Sequence, residues 1–218
     1  MNPKALHKAH HRLTAAKNAI AEVESCTNYD EFCVQWSNFL HAAKGIYTVL
    51  EQGAKATPQS RQWFGKKNRE RLTDPLLRYV CEARNDDEHG IEPVSRYVPP
   101  ELKLGVGRQG YSNTVVDDRG NTFVNCGAAL SFSGKIPDEL PTLRALDGKP
   151  ILNEFIPPHA KLVRVHDRSK TPYDPPTSHV GQPVPDSSPL AIGKLANEYL
   201  SKLLDEAQTL ASPSRAAT

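Results

Sequence analysis

The sequence lacks a long hydrophobic run, an excess of charge of either sign and a paired cysteine motif. No stretch reaches the roughly 18 apolar residues that a membrane helix needs, and residues 1–8 lack the apolar run of a signal peptide. Lys and Arg number 27 against 25 Asp and Glu, which excludes a protein that coats nucleic acid by bulk charge. The four cysteines form no CxxC pair, so reduced thiols are expected. We therefore expect a soluble, cytoplasmic protein with no membrane contact.

Proline is scarce in the first part of the chain and abundant in the rest. Only three of the 18 prolines lie in residues 1–90. The same part holds 13 Lys and Arg against 11 Asp and Glu, which accounts for the whole net charge of +2. This change in composition predicts two differently built regions joined near Gly90.

Residues 1–90 show the three- and four-residue spacing of apolar side chains that is typical of amphipathic helices. Polar N-cap residues, a proline in a first turn and glycines at helix ends support this prediction. The predicted helices begin at Lys4, after Asn28 or Asp30 and after Thr73 or Asp74, and they end near Glu24, at Gly53 and at Gly90. A short basic segment, residues 61–71, lies before the last of them.

Beyond Gly90 the hydrophobic pattern changes from helical to alternating. Residues 110–116 and 122–124 flank a polar turn and predict a β-hairpin, and residues 161–166 also alternate. Residues 169–189 are proline-rich without a hydrophobic period, which indicates an ordered loop or a wrapping arm. The apolar spacing returns in a last helix that could pack on the N-terminal helices.

These patterns together predict an α+β fold. The expected parts are an N-terminal helical domain (1–92), a small antiparallel β-rich and proline-rich region (93–189), a C-terminal helix (190–211) that packs on the helical domain, and a disordered tail (212–218). The sequence leaves open whether residues 91–189 fold as a separate domain or wrap the helices.

Arg84 and His89 stand out near the end of the predicted helix before Gly90. Arg84 lies on the same face as Leu77 and Val80, and a guanidinium on a packing face needs a carboxylate, a phosphate or a partner subunit. His89 occupies the last turn, where the helix dipole favours an imidazolium. Histidine is also the residue type whose charge changes near neutral pH, so both side chains are candidates for chemistry.

The run Arg84-Asn85-Asp86-Asp87-Glu88-His89 is an arginine, a polar residue, three further residues and a histidine. It resembles the signature of the HEPN superfamily, the all-α domains of many prokaryotic ribonucleases and toxin or defence proteins, in which His follows Arg after four to six residues. The resemblance covers about residues 1–90. It implies that the N-terminal domain is a HEPN-like α-helical bundle.

The resemblance also implies a function. It implies a homodimer in which two motifs face one cleft, and a metal-independent endoribonuclease, without a cofactor, that works by attack of the ribose 2′-hydroxyl on the adjacent phosphate. His89 would be the general base or acid, Arg84 would hold the phosphate, and Asn85 would orient one of these groups or the substrate. The expected context is a toxin or defence effector with a cognate antitoxin or regulatory protein. Asp86, Asp87 and Glu88 depart from this picture because they place negative charge beside a site for a polyanion.

The basic segment before the motif helix is a candidate RNA-binding surface, because cations neutralise phosphates and aromatic rings stack on bases. Its candidate residues are Arg61, Trp63, Lys66, Lys67, Arg69 and Arg71. In the alternative interpretation Trp63 and Phe64 belong to the core and the charges form a solvated rim.

Two other functions remain open. Arg84 and Glu88 stand at i and i+4 and could form an ordinary ion pair, in which case the domain would be a non-catalytic HEPN-like module for dimerisation or for binding a nucleotide or partner. A metal-dependent hydrolase is the third hypothesis. It would use His159, His166, Asp167, Asp174 and His179.

Overall fold

The computed structural model describes residues 1–105, 109–124, 130–136, 140 and 142–211. The expected disordered tail, residues 212–218, lies outside them. The described chain is an α+β protein that divides into two compact units. The helical unit consists of Met1–Arg96 and the chain from Ala160 on, and the inserted unit is Tyr97–His159.

Five helices are present in the described chain, all of them in the helical unit. They are α1 (Pro3–Ser25), α2 (Tyr29–Ala54), α3 (Pro58–Thr73), α4 (Pro75–His89) and α5 (Pro189–Thr209). Each begins after a side chain that accepts a hydrogen bond from a backbone N–H of the first turn. The capping residues are Asn2, Asn28, Thr57, Asp74 and Ser188.

The predicted helices are present, and most of their ends agree to within two residues. Gly53, predicted to end the second helix, lies inside α2, one residue before its end. The basic segment predicted over residues 61–71 is part of a 16-residue helix, α3, which begins at Pro58. Proline stands in the first turn of α3 as it does in α4, where its missing N–H is not needed. Of the two predicted capping residues, Thr73 and Asp74, it is Asp74 that caps α4, and Gly90 follows the last residue of the helix.

The core of the helical unit lies between α1, α2, α4 and α5. The predicted apolar stripe of α1 is buried, and it packs against large side chains of α2 and α5. Fully buried core residues include Trp36, Phe39, Leu40, Ile46, Leu50, Leu76, Tyr79, Ile192, Leu200, Leu203 and Leu204. The side-chain amide of Asn197 on α5 donates to the carbonyl of Ala16, 3.3 Å away, so α5 returns to α1 at the centre of this core.

The chain between Ala160 and α5 lies on the helices as an arm. It includes most of β8 (His159–Leu162), then β9 (Val165–His166), β10 (Pro172–Tyr173), β11 (Ser178–His179) and β12 (Gln182–Pro183). β9 pairs with β10 and β11 with β12, both antiparallel. The alternating segment predicted over residues 161–166 is therefore divided between β8 and β9, since Val163 and Arg164 belong to neither strand.

Side chains of α4 and of its N-cap residue attach this arm to the helices. The hydroxyl of Tyr79 donates to the carbonyl of Val163, 2.8 Å away. The carboxylate of Asp74 accepts from the backbone N–H of Val180 at 2.6 Å and lies 3.0 Å from Nδ1 of His179. The sequence leaves undecided whether residues 91–189 form a separate domain or wrap the helices. The part from Ala160 on wraps the helices.

The inserted unit contains two three-stranded antiparallel sheets in its described residues. In one, β2 (Glu101–Gly105) lies between β5 (Leu130–Ser133) and β7 (Leu152–Ile156); in the other, β3 (Thr114–Asp117) lies between β4 (Thr122–Val124) and β6 (Leu143–Ala145). The remaining strand, β1 (Ser95–Val98), pairs with β8. The predicted hairpin is β3 and β4, and its turn has Gly120 at φ +82°. None of the described helices is long and apolar enough to cross a membrane.

Candidate nucleic-acid site at the end of α4

The three candidate catalytic residues lie in the last two turns of α4. Arg84 forms an ion pair with Glu88, one turn further along the helix, and its side chain is only 20% exposed. Oε2 of the same Glu88 carboxylate lies 3.5 Å from Nε2 of His89, which is about half exposed. The Glu88 carboxylate therefore contacts both the Arg84 guanidinium and the His89 imidazole, so these two groups lie close together.

The Arg84 guanidinium is only partly satisfied by this arrangement. Its Nε atom is buried and has no hydrogen-bond partner within the described part of the chain. Asn85 is engaged locally, because its amide nitrogen donates to Oε2 of Glu82, 3.0 Å away. In the described chain Arg84 thus has an unused donor, its buried Nε, whereas the Asn85 amide is held on its own helix.

The acidic residues of the motif have separate partners. Oδ2 of Asp87 accepts a 2.6 Å hydrogen bond from Oγ of Ser37 on α2. Oδ2 of Asp86 accepts from the backbone N–H of His166 in the arm at 2.9 Å. These two carboxylates hold the end of α4 between α2 and the arm, so their charge is directed towards groups of their own chain.

Gly90 lies against this turn so closely that no side chain fits. Its N–H donates to the carbonyl of Asp86 at 2.6 Å, and a Cβ at this position would be 2.5 Å from that carbonyl oxygen. The predicted stop signal is therefore also a steric requirement of the site.

Arg168 joins the site from the arm and was not predicted from the sequence. Its Nη2 lies 3.4 Å from Nε2 of His89, although the two residues are 79 positions apart. No local spacing links them, since the contact depends on how the arm folds back onto α4. An arginine in a short turn carried no signal that could have identified it.

The basic segment on α3 divides into engaged and free side chains. Nε1 of Trp63 and Nζ of Lys67 both donate to the carboxylate of Glu206 on α5, at 3.0 and 2.9 Å. Burial alone would lower the pKa of Lys67, but its bonds to Glu206 and Glu70 raise it, so this ammonium is firmly paired.

Arg71 is engaged as well, with its guanidinium 4.8 Å from the ring centroid of Tyr47 and Nη2 bonded to Asn68. Trp63 and Phe64 are partly buried and pack on the core. The exposed cations of this segment are Arg61, Lys66 and Arg69. No hydrogen bond or ion pair in the described chain joins this segment to the motif on α4.

Two of the five side chains of the metal-site hypothesis have other partners: His179 lies against Asp74, and Asp174 pairs with Arg164. Among the residues that the structure describes, no three His, Cys, Asp or Glu side chains are grouped to hold a metal ion. Cys26, Cys33 and Cys81 are free thiols, and Cys126 lies outside the described residues.

Comparison with protein-family models, curated proteins and solved structures finds no match for this chain.

Proposed function

We propose that this protein is a metal-independent endoribonuclease of the HEPN type. The observation that carries the proposal is the sharing of the Glu88 carboxylate by Arg84 and His89 at the exposed end of α4. A cation that binds phosphate and a group that transfers protons are thereby held next to each other, and the attack of a 2′-hydroxyl on the adjacent phosphate needs both.

In the proposed reaction the RNA phosphate replaces Glu88 as the partner of Arg84. A guanidinium donates two parallel hydrogen bonds to a phosphate as it does to a carboxylate, so the exchange keeps the charge of Arg84 balanced. His89 takes the proton of the 2′-hydroxyl or supplies one to the leaving oxygen. The neighbouring acidic residues Asp86 and Asp87 keep their charge, but hydrogen bonds to the backbone of the arm and to Ser37 fix the positions of their carboxylates.

The proposal includes a homodimer in which the motifs of two chains line one cleft. It places the exposed cations Arg61, Lys66 and Arg69 on the path of the RNA backbone. A toxin or defence role, with an antitoxin or regulatory protein as partner, follows from the same resemblance.

The test uses the purified protein with structured RNAs in the presence of a chelator. The wild type should cleave and leave 2′,3′-cyclic phosphate ends, and His89→Ala and Arg84→Ala should lose most of the activity. His10→Ala is the matched control, since His10 is exposed on α1 and should cleave like the wild type. An absence of cleavage, or equal cleavage by His89→Ala, would overturn the proposal.

A second candidate is favoured by the ion pair that already occupies Arg84. In this proposal the domain is a non-catalytic module that dimerises and binds a nucleotide or protein partner. Arg84→Ala should then lose partner or nucleotide binding while wild type and variant both leave RNA intact. A growth defect on expression of the wild type that Arg84→Ala abolishes would argue against the module.

A further inference from the structure

The turn between β9 and β10 is held rigidly by the carboxylate of Asp167. Oδ1 accepts from the backbone N–H groups of Ser169 and Thr171 at 2.8 and 2.9 Å, and Oδ2 accepts from the hydroxyl of Tyr173 at 3.1 Å. The backbone hydrogen bond from Thr171 is the main reason that the pKa of Asp167 is lowered. Arg168 is the next residue, so its backbone has a fixed position.

The same turn is attached to α4 on both sides of Arg168. Before it, the N–H of His166 donates to Asp86 at 2.9 Å. After it, the guanidinium of Arg78 lies 4.5 Å from the ring centroid of Tyr173 and donates to its hydroxyl. Both attachments are to α4 itself, so the distance between Arg168 and the motif is set by direct contacts.

The Arg168 side chain is exposed, and in the described chain it forms no ion pair with a carboxylate. Arg164, the other arginine of this part of the arm, differs in this respect, because Nε and Nη2 bind Asp174 in a two-pronged pair at 2.8 and 3.0 Å. Nη2 of Arg168 instead lies against the ring of His89. The guanidinium of Arg168 and the imidazole of His89 therefore lie side by side at an exposed position beside the Arg84–Glu88 ion pair.

From this placement we infer that Arg168 binds a backbone phosphate of the RNA beside His89, so that the arm forms part of the ribonuclease site. The inference rests on the proposed function. A guanidinium suits this task because its planar set of donors matches the oxygens of a phosphate. The C-terminal region of the chain thereby supplies a cation that the motif on α4 does not contain.

The first test measures binding without cleavage, using a single-stranded 2′-O-methyl RNA oligonucleotide, which lacks the attacking hydroxyl. Fluorescence anisotropy is recorded over a series of salt concentrations for the wild type, Arg168→Ala, Arg168→Lys and Lys161→Ala. Lys161 is exposed on β8 and gives the same loss of charge elsewhere on the arm. Unfolding midpoints of all variants should equal that of the wild type, since both side chains are exposed.

Arg168→Ala should weaken binding about tenfold and reduce the slope of log K against log salt by about 0.7, the value for one phosphate contact on a single strand. Arg168→Lys should recover most of the slope, because it keeps the charge. Lys161→Ala should bind within about twofold of the wild type. If Arg168→Ala and Lys161→Ala bind equally, the inference is overturned.

The second test measures cleavage of the matching unmodified RNA by the same variants. Cleavage by the wild type that Arg168→Ala slows mainly through KM supports both the proposed function and the inference. Cleavage that Arg168→Ala leaves unchanged, together with equal binding, removes the inference alone. Arg168-dependent binding without any cleavage removes the proposed activity and supports the inference, whereas a wild type that neither binds nor cleaves RNA overturns both.

Discussion

Oγ of Ser37 on α2 donates a 2.6 Å hydrogen bond to Oδ2 of Asp87 in the last turn of α4. The two residues are 50 positions apart, and both are partly buried. Asp87 is one of the three acidic residues that depart from the pattern expected of an RNA site. Its carboxylate attaches the motif at the end of α4 to the core helix α2.

Ser37→Ala should lower the free energy of unfolding by about 1–2 kcal/mol, because it leaves the partly buried Asp87 carboxylate without this donor. Urea denaturation followed by circular dichroism would measure the loss. Thr48→Ala is the control, since its exposed hydroxyl bonds only within α2, and it should change stability by less than about 0.5 kcal/mol. Equal values for the two variants would show that the Ser37 bond contributes nothing specific.

Glu88→Gln should make the protein bind 2′-O-methyl RNA more tightly, by a few-fold, since it removes the charge that competes with phosphate for Arg84. Stability should change by only about 0.3–0.5 kcal/mol, because the pair is an i,i+4 contact with both side chains partly exposed. Anisotropy and urea denaturation give the two values. Glu51→Gln removes the same charge from an exposed position on α2, and affinity that rises equally in both variants would contradict a specific role of Glu88.

Gly193→Ala should destabilise the protein by about 1–3 kcal/mol, the usual result of overfilling a tight contact. A Cβ at this position of α5 would lie 2.9 Å from Cγ1 of Ile20 and 3.5 Å from Cζ3 of Trp36. Gly65→Ala is the opposite case, since α3 is open there with no atom within 4 Å of the added Cβ. Gly65→Ala should therefore stabilise the protein by about 0.5–1 kcal/mol through helix propensity. Thermal unfolding should show a lower midpoint for Gly193→Ala and a higher one for Gly65→Ala than for the wild type.

Asp74 should make stability depend on pH in the acid range. Burial raises the pKa of this carboxyl, but the N–H groups of Val180 and Leu77 and the ring of His179 outweigh burial and lower it. A pKa that is lower in the folded state gives stability that is present above the unfolded value of about 3.9 and is lost as pH falls through the folded value.

The wild type should therefore be more stable than Asp74→Asn near pH 6, and the difference should shrink as the pH is lowered below about 4. Urea denaturation at several pH values measures it. Asp205→Asn removes a charge at an exposed position of α5. Its free energy of unfolding should differ little from that of the wild type at every pH. A difference for Asp74→Asn that does not change between pH 6 and pH 3 would contradict this account.

Local signals in the sequence were sufficient to predict most of the helices and the hairpin. Asn28, Asp74 and Gly90 are found at the helix ends predicted for them, because capping depends on a few neighbouring residues. The length of α3 was underestimated, since its side chains are mostly polar and Ser60 is the only residue of the helix that is fully buried. A hydrophobic period cannot reveal a helix that lies on the surface.

The candidate site could be predicted only in part, for a similar reason. Arg84, Asn85 and His89 lie in the last two turns of one helix and could be found by their spacing, but their partners could not. Ser37 and Arg168 reach the motif from distant parts of the chain. The pairing of Trp63 and Lys67 with Glu206 also joins α3 to α5, which no pattern within residues 61–71 could indicate.

The order in which the chain is synthesised has a consequence for how the helical unit folds. α1 to α4 are complete at His89, yet Leu200, Leu203 and Leu204, which close their core, belong to α5. The ribosome makes the whole inserted unit, Tyr97–His159, before α5. Domains generally fold as units during synthesis, so the inserted unit emerges while the first four helices still expose apolar surface. During this interval the nascent chain exposes apolar surface that α5 covers in the finished protein, and exposed surface of this kind is prone to aggregation.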